Sequence, residues 1–492
     1  MNTAPRQPST GSTVPDTVGS GTSTPQAGND GGDGGDRELR PIRNLDDLRS
    51  VLGGRLSRPS DADWDQARAA WQLLVDQQPA AVVHAASRHD LAVTVRAAGA
   101  LGMRVAPQTT GHNAAPLGDL SATILLRTGS LDGIEIDAAA QTARIEAGVS
   151  WGDLATAAAP YGLATIGGFA AGVGAIGSLL GGGLGWFARS RGLGSSWVLE
   201  LEAVTPDGVV RRVAPGDPLF DLLLDGADIA VIAGATLQLH PIDTVFAGAL
   251  FWPAESAGEI FRAWTAWTTE VPETVTSLVR VLRIPDMPGV PEVFAGRSFA
   301  VVEAAMELAQ EQAEAVLAPL RNLNPQIDTF AITPVPALAA LHMDPPDPMP
   351  SLSCSALLAE LPEDAVDALV DAATRGPGAM LTSVELRQLG GALDRGRRNA
   401  VAGCRALLYA VAITPVPEAV AAAQAACAAV SEAVRSVRSP MEVRTFTETR
   451  IAPERLFDDD SALAAAKREW DPGDLVHAAH SVLPHQEELL VS

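Results

Sequence analysis

Two glycine-rich turns constrain this chain more than any other feature. The first is Pro107-Gln108-Thr109-Thr110-Gly111-His112-Asn113-Ala114-Ala115-Pro116-Leu117-Gly118. The second runs from Gly172-Val173-Gly174-Ala175-Ile176-Gly177 to Gly181-Gly182-Gly183-Leu184-Gly185-Trp186. A short apolar run that reads as a strand precedes each. Glycine tolerates positive φ and lets a ligand come close to the main-chain amides. Successive N–H groups in such turns form concavities that take anions, phosphate above all. The expected guest is a dinucleotide held by both loops.

Gly172-x-Gly174-x-x-Gly177 matches the GxGxxG pattern, which is a weak signal alone. The Rossmann version needs a helix directly after it. Here Gly181, Gly182, Gly183 and Gly185 follow, and each interior glycine costs a helix about 0.5–1 kcal/mol. A Rossmann domain is therefore rejected. The bland alternative is a glycine-rich bend in a tightly packed core.

Composition narrows the function. A length of 492 residues fits two or three domains. The net charge of −24 argues against nucleic acid and anionic membranes, whose phosphates call for clustered Lys and Arg. Cys354, Cys404 and Cys427 are scattered with no CxxC pair. They predict neither a metal site nor a disulfide framework, and they fit a reducing, cytoplasmic setting. The longest apolar stretch, Ala157 to Ala188, is broken by Pro160 and many glycines, so no membrane span is expected. The N-terminus has no charged region followed by an apolar one, so no secretory signal is expected.

In chain order, residues 1–38 have almost nothing apolar and read as a disordered tail. Trp64, Ala67, Trp71 and Leu74 predict a helix over 61–75. A βαβ-like opening follows, with strands near Ala80–His84 and Arg104–Ala106 around a helix over 90–101. Short strands are expected at 122–127, 131–136, 142–147 and 163–166. A hairpin is expected over 198–213, and a strand pair over 230–240. Residues 39–241 thus form a first domain. Residues 242–440 alternate strands with Ala-rich helices, one of them over 297–320, and form a second α+β domain. Residues 441–492 return to the first domain, opening with a strand.

His112 alone reads as an ordinary turn histidine. The company it keeps changes that. The loop Thr110–Ala114, the strand Leu125-Leu126-Arg127, Ile145-Glu146-Ala147-Gly148 and Gly177-x-x-x-Gly181-Gly182-Gly183-Leu184-Gly185 occur in one order. Arg191-Gly192-Leu193, Leu201-Glu202-Ala203-Val204-Thr205-x-Asp207-Gly208, Glu385–Ala392 and Lys467-x-x-Trp470-Asp471-Pro472 continue it. From Pro79 to Pro241 the chain resembles the FAD-binding domain of the FAD-linked oxidases of the vanillyl-alcohol-oxidase superfamily. Within it, the bacterial berberine-bridge-enzyme-like oxidases are the nearest likeness.

The resemblance implies an α+β fold: a two-subdomain, PCMH-type FAD-binding domain with an α+β substrate domain roofing the flavin. It puts Thr109, Thr110, Gly111, His112, Asn113, Ala114, Leu117 and Gly118 at the cofactor. From the second loop it adds Gly172, Val173, Gly174, Gly177, Gly181, Gly182, Gly183, Gly185 and Trp186, and beyond them Ile232. His112 stands where the family bonds a histidine nitrogen to the flavin 8α-methyl. Some members add a cysteine bond at the start of the second loop. Gly168-Phe169-Ala170-Ala171-Gly172 has no cysteine, so one covalent bond at most is expected.

Two departures stand out. The family's Arg-Gly-Gly-Gly-Gly-Asn-Phe-Gly-like segment is rewritten here as Leu224–Gly234, with Asp225 and Asp228 in it. These aspartates would repel a phosphate if they face it. The family's Tyr-x-Asn-Phe segment is Val443-Arg444-Thr445-Phe446, so its deprotonating tyrosine is missing.

The implied activity is hydride transfer from a small alcohol, sugar or amine to flavin N5, with dioxygen as the reoxidant. A base is needed within hydrogen-bond reach. The candidates are Tyr409, Glu385, Glu448 and His342. The rival readings are a flavin dehydrogenase or biosynthetic cyclase, and a degenerate, non-catalytic protein of the same fold.

Overall fold

The computed structural model describes residues 41–286, 290–396, 399–414 and 416–484. The tail expected over residues 1–38 lies outside them. Three sheets organise the described chain.

The first sheet has β1 (Arg55–Ser57), β2 (Ala81–His84), β3 (Arg104–Gln108) and β4 (Thr123–Arg127) in the order β1-β2-β4-β3. β2 and β3 both run parallel to β4, and β1 is antiparallel to β2. The helix Arg88–Leu101 makes the crossover. Ser87 caps it at one end, and Gly102 closes it at φ 64°. That crossover delivers β3 to the first glycine turn.

The second sheet has β5 (Ile134–Asp137), β6 (Thr142–Glu146), β7 (Val198–Val204), β8 (Val210–Val213) and β9 (Val231–Gln238), in the order β5-β6-β9-β7-β8. All its pairs are antiparallel. Between β6 and β7 the chain leaves the sheet, and the second glycine turn lies in that excursion.

The third sheet has eight strands: β10 (Thr244–Pro253), β11 (Val275–Arg283), β12 (Ser298–Met306), β13 (Ile327–Asp328), β14 (Ala331–Pro334), β15 (Ser351–Leu358), β16 (Ser383–Gln388) and β17 (Ala406–Ile413). Its path is β13-β10-β12-β11-β16-β17-β15, with β14 also paired to β10. Strand side chains alternate between faces. One face carries Val279, Val281, Ala300, Val302, Val384, Leu386, Leu408 and Ala410, and helices bury it. The other face packs Leu278, Leu407, Ala247 and Ala305 against Ile166, Phe169, Leu184 and Trp186 of the second glycine segment.

Several expected elements differ. The helix expected over 61–75 is confined to Trp64–Arg68. Beyond it the chain is extended, and Leu73 N–H and Met349 N–H bond to main-chain oxygens of Met349 and Trp71 at 3.1 Å each. The helix expected over 297–320 is a strand, β12, followed by a helix over Gln310–Arg321. The strand pair over 230–240 is the single strand β9. Residues 163–166 contribute only the bridge Ala164–His240, and residues 443–446 form a 3-10 turn, not a strand. A six-residue helix, Ala175–Leu180, does open inside the GxGxxG stretch, but it stops at Gly181. Among the described residues no helix is long and apolar enough to cross a membrane, and no His/Cys/Asp/Glu cluster could hold a metal ion.

Candidate functional site

The first glycine loop leaves β3 at Gln108 and turns at Gly111, where φ is 86°. A Cβ there would lie 2.9 Å from Ala70 Cβ, so only glycine lets residues 70–71 come this close. Trp71 N–H bonds to Thr110 O at 3.0 Å. The Trp71 ring stacks on His112, with centroids 4.2 Å apart and planes 15° apart. On the other ring edge, Thr110 Oγ1 is 2.7 Å from His112 Nδ1. Burial lowers the His112 pKa to about 4, so the imidazole is neutral at neutral pH.

Farther along, Ala114 and Leu117 are buried. Asn113 Nδ2 donates to Arg444 O at 3.0 Å, while its buried Oδ1 has no partner. Arg450 reaches in from the C-terminal segment. It bonds Pro116 O at 2.7 Å and also Leu117 O, and it fills the space where a Cβ on Gly118 would sit.

The second loop is strung onto residues 149–152. Trp151 N–H bonds to Val173 O at 3.1 Å, Gly152 N–H to Ala171 O at 2.9 Å, and Ala175 N–H to Val149 O at 2.9 Å. Gly174 then meets the first loop: a Cβ there would lie 3.0 Å from Thr109 Cβ. Thr109 Oγ1 is fixed in turn by Thr128 Oγ1 and Ala147 O, both at 2.9 Å. Gly172 and Gly177 are exposed, with nothing within 4 Å of where a Cβ would point. Gly181 backs onto Thr445, Gly182 and Gly183 onto Leu193 and Gly194, and Gly185 onto Gly167–Gly168. Trp186 packs edge-on to Phe169 at 4.8 Å. Ile232 lies within β9, in the core of the second sheet.

Besides Asn113 Oδ1, the buried indole nitrogens Trp151 Nε1 and Trp186 Nε1 have no protein partner. Buried polar groups without a partner are uncommon. Three of them around two loops with open glycine backbone form a donor and acceptor set that suits a bound dinucleotide. The residues present fit FAD.

The rewritten 224–234 segment does not aim Asp228 at a phosphate. Asp228 faces Lys467, whose ammonium is fully buried. Lys467 Nζ donates to Asp228 O at 2.7 Å, Asp471 Oδ2 at 2.8 Å and Val476 O at 2.7 Å. Ser481 Oγ and Val482 N–H complete the Asp228 carboxylate at 2.9 and 3.2 Å. Gly226 turns at φ 94° against the Arg444 guanidinium, which bonds to Asp225 O at 2.8 Å and Leu180 O at 2.5 Å. The residue that follows the missing tyrosine position thus ties the helix within the second loop to the rewritten segment.

The third sheet carries two of the base candidates, Glu385 on β16 and Tyr409 on β17, while His342 and Glu448 lie outside its strands. Register places Arg280 opposite Glu385, and Glu385 opposite Tyr409. Glu303 ion-pairs with Arg280 at 2.5 Å and with His342 Nδ1 at 2.8 Å. His342 Nε2 is 3.2 Å from Glu385 Oε2, and Arg387 closes on Glu385 Oε1 at 2.6 Å. Burial and Arg280 pull the His342 pKa down, but Glu303 and Glu385 outweigh them and raise it to about 9. His342 is therefore an imidazolium bridging two carboxylates. Burial pushes Glu385 up, yet Arg387 and His342 prevail and hold it well below the usual carboxylate range.

Arg387 also lies 4.3 Å from the Phe169 ring centroid, 5.1 Å from Phe446 and 5.7 Å from Tyr409. Burial, with Glu448 adding to it, pushes the Tyr409 phenol well above its ordinary pKa. Burial also raises Glu448, which accepts Ser353 N–H at 3.1 Å and has Gln72 beside it. Gln72 follows Trp71, so Glu448 and Tyr409 belong to the neighbourhood of His112.

Sequence reading missed Trp71, Gln72, Arg280, Glu303 and Arg387. The last three had a signal, a charge set inside an apolar strand, as in Leu278-Val279-Arg280-Val281-Leu282.

Residues 79–214 match the model of a protein family described as an FAD binding domain. Among curated proteins, (R)-6-hydroxynicotine oxidase of Paenarthrobacter nicotinovorans is 30% identical over 211 residues, 42% of this chain and 46% of that one. An FAD-linked oxidoreductase of Dictyostelium discoideum is 30% identical over 139 residues, 28% of this chain and 31% of that one. The matched stretch spans less than half the length of these relatives.

Among solved structures, 6-hydroxy-D-nicotine oxidase from Arthrobacter nicotinovorans superposes with a TM-score of 0.72 at 24% identity, covering 86% of this chain and 96% of that one. The berberine-bridge-enzyme-like protein 1 of Physcomitrella patens gives 0.78 at 17% identity, over 90% and 100%. These two likenesses establish the fold. Residues 79–214 thus carry an FAD binding domain, and the chain is similar to FAD-linked oxidases in part of its sequence and in its fold.

Proposed function

We propose that this chain is an FAD-dependent oxidoreductase that takes a hydride from a small alcohol, sugar or amine and passes the electrons to dioxygen. In this reading FAD is held by one covalent bond, to His112. The observation that carries it is the junction of the two glycine loops at Thr109 and Gly174, with His112 beside it and Gly172 and Gly177 open. Residues 109–113 and 172–177 would hold the pyrophosphate. Asn113 Oδ1 and the two free indole N–H groups would complete the cofactor's hydrogen bonds.

Bound FAD would supply the hydride acceptor. The protein must then accept the substrate's OH or NH proton. Glu385 is a poor acceptor, because its ion pairs keep it ionised. Tyr409 holds its own proton too tightly to act as a phenolate. Glu448 is assigned the role: burial moves its pKa toward working pH, where a general base is most effective. Tyr409 then positions the substrate oxygen or nitrogen. The row of Arg280, Glu303, His342, Glu385 and Arg387 fixes the wall behind them.

The relative named as an oxidase of 6-hydroxynicotine supports both the oxidase chemistry and a small substrate. The test is a panel of alcohols, sugars and amines. One of them should bleach the flavin absorbance without air and yield one peroxide per dioxygen consumed with air. Yellow protein bleached by none of them would instead favour a binding role.

A further inference from the structure

We propose that a polar cavity beside the end of β16 binds a small hydroxy acid, with its carboxylate on Arg189 and Arg405 and its hydroxyl on Thr268, Thr269 or Asp394. The cavity measures about 210 Å³, and Arg189, Thr268, Thr269, Gly391, Asp394 and Arg405 are among the residues that line it. Pockets for drug-sized ligands run from about 300 to 1,000 Å³, so this guest is smaller. None of the residues assigned to FAD or to proton transfer lines the cavity.

Arg189 is the fixed cation, and it is buried. Its Nε donates to Leu389 O at 3.1 Å, and its Nη1 donates to Pro272 O at 3.2 Å and to Val275 O. Those main-chain acceptors hold the guanidinium in place. Nη2 bonds none of the described residues and is left as a donor. Gly391 turns at φ 68°, and a Cβ there would lie 2.5 Å from Arg189 O, so glycine lets this wall close on the arginine. Burial pulls the Arg189 pKa down to about 10, with Glu273 and Asp394 acting against it and Arg405 with it, so the group is charged at neutral pH. Arg405 is the second cation. It is exposed, and its side chain makes no ion pair with the described residues. Two like charges near each other repel, and an anion between them relieves the repulsion.

The acidic groups nearby are Glu273 and Asp394. Glu273 is engaged by Arg395 at 2.5 and 2.7 Å. Asp394 takes Gly403 N–H on one oxygen at 2.7 Å and has acceptor capacity left. Two arginines against Asp394 leave the lining one positive charge, which a monoanion neutralises. The threonines set the rest of the ligand. Thr268 and Thr269 donate their hydroxyl hydrogens to Thr265 O and Ala266 O at 2.8 and 2.7 Å. Their oxygens, like the Asp394 carboxylate, can then only accept. A ligand hydroxyl satisfies them and a second carboxylate does not. An amino acid would bring the carboxylate but no net charge, and the cavity would keep its excess.

The experiment is calorimetric titration of the full chain as isolated, in buffer free of carboxylates and phosphate, with lactate, propionate and alanine. These probes share one carbon skeleton and a carboxylate, and differ in the hydroxyl, hydrogen or ammonium beside it. The expected result is one lactate bound per chain, with propionate and alanine each roughly tenfold weaker, about the effect of one hydrogen bond. Lactate should also bind at least about tenfold more weakly to Arg405→Gln, which loses a charged donor. That variant keeps the wild-type unfolding midpoint, because the Arg405 side chain holds nothing in the fold, and its loss of affinity is what assigns the heat to this cavity. No binding of lactate, equal affinity in wild type and Arg405→Gln, or propionate or alanine binding as tightly as lactate would overturn the proposal.

Discussion

Glu448→Gln slows reduction of the bound flavin by substrate about 10²–10⁴-fold, the usual effect of removing a general base. The substitution keeps the shape and a carbonyl oxygen for Ser353 N–H, now 3.1 Å away, so the fold survives. Stopped-flow mixing without air checks it. Tyr409→Phe should act more weakly, because it removes a positioning hydroxyl and not the proton acceptor. A Glu448→Gln rate within a factor of two of wild type, with a large loss in Tyr409→Phe, would exchange the two roles.

The second large effect is on stability. Lys467→Met should cost about 3–5 kcal/mol, the range for breaking a buried ion pair from one side. Lys467 is fully buried, and it faces Asp228 at 3.3 Å, Asp471 at 2.8 Å and Asp474 at 3.2 Å. Removing the cation strands two buried carboxylates in a medium that cannot solvate them. The same lysine joins residue 228 of the rewritten segment to residue 476, so docking of the C-terminal segment goes with it. Urea unfolding of wild type and variant measures the difference. A loss below about 1 kcal/mol, the scale of an exposed pair, would show that water reaches this cluster.

The glycine loops were legible because their constraint is local. Gly111 at φ 86° between Thr110 and His112 is a backbone demand written into a single residue. The hairpin β7–β8 was legible for the same reason, from Pro206-Asp207-Gly208 between apolar runs. β12 was not. Its sequence, Ser298 to Met306, has three alanines and a glutamate and is soon followed by a true helix, so propensity favoured helix. Burial on both faces overrode that preference: Val301 packs on one side and Ala300 and Val302 on the other. Trp71 and Leu74 gave a helical spacing, but the chain there is drawn out by Met349, which is remote in sequence. The charged row is the clearest limit. Arg280 lay in an expected strand, Glu303 in an expected helix and Glu385 among the base candidates, and only strand register sets them side by side. The role of Asp228 was hidden likewise, since Lys467 lies 239 residues away.

The central claim is that one histidine on the first glycine loop carries the cofactor. It is tested most directly by precipitating purified protein in trichloroacetic acid and measuring flavin absorbance in the pellet and the supernatant. The account predicts yellow wild-type protein with its flavin in the pellet, and His112→Ala protein with none there. Wild-type flavin recovered wholly in the supernatant, or flavin that stays in the His112→Ala pellet, would contradict it.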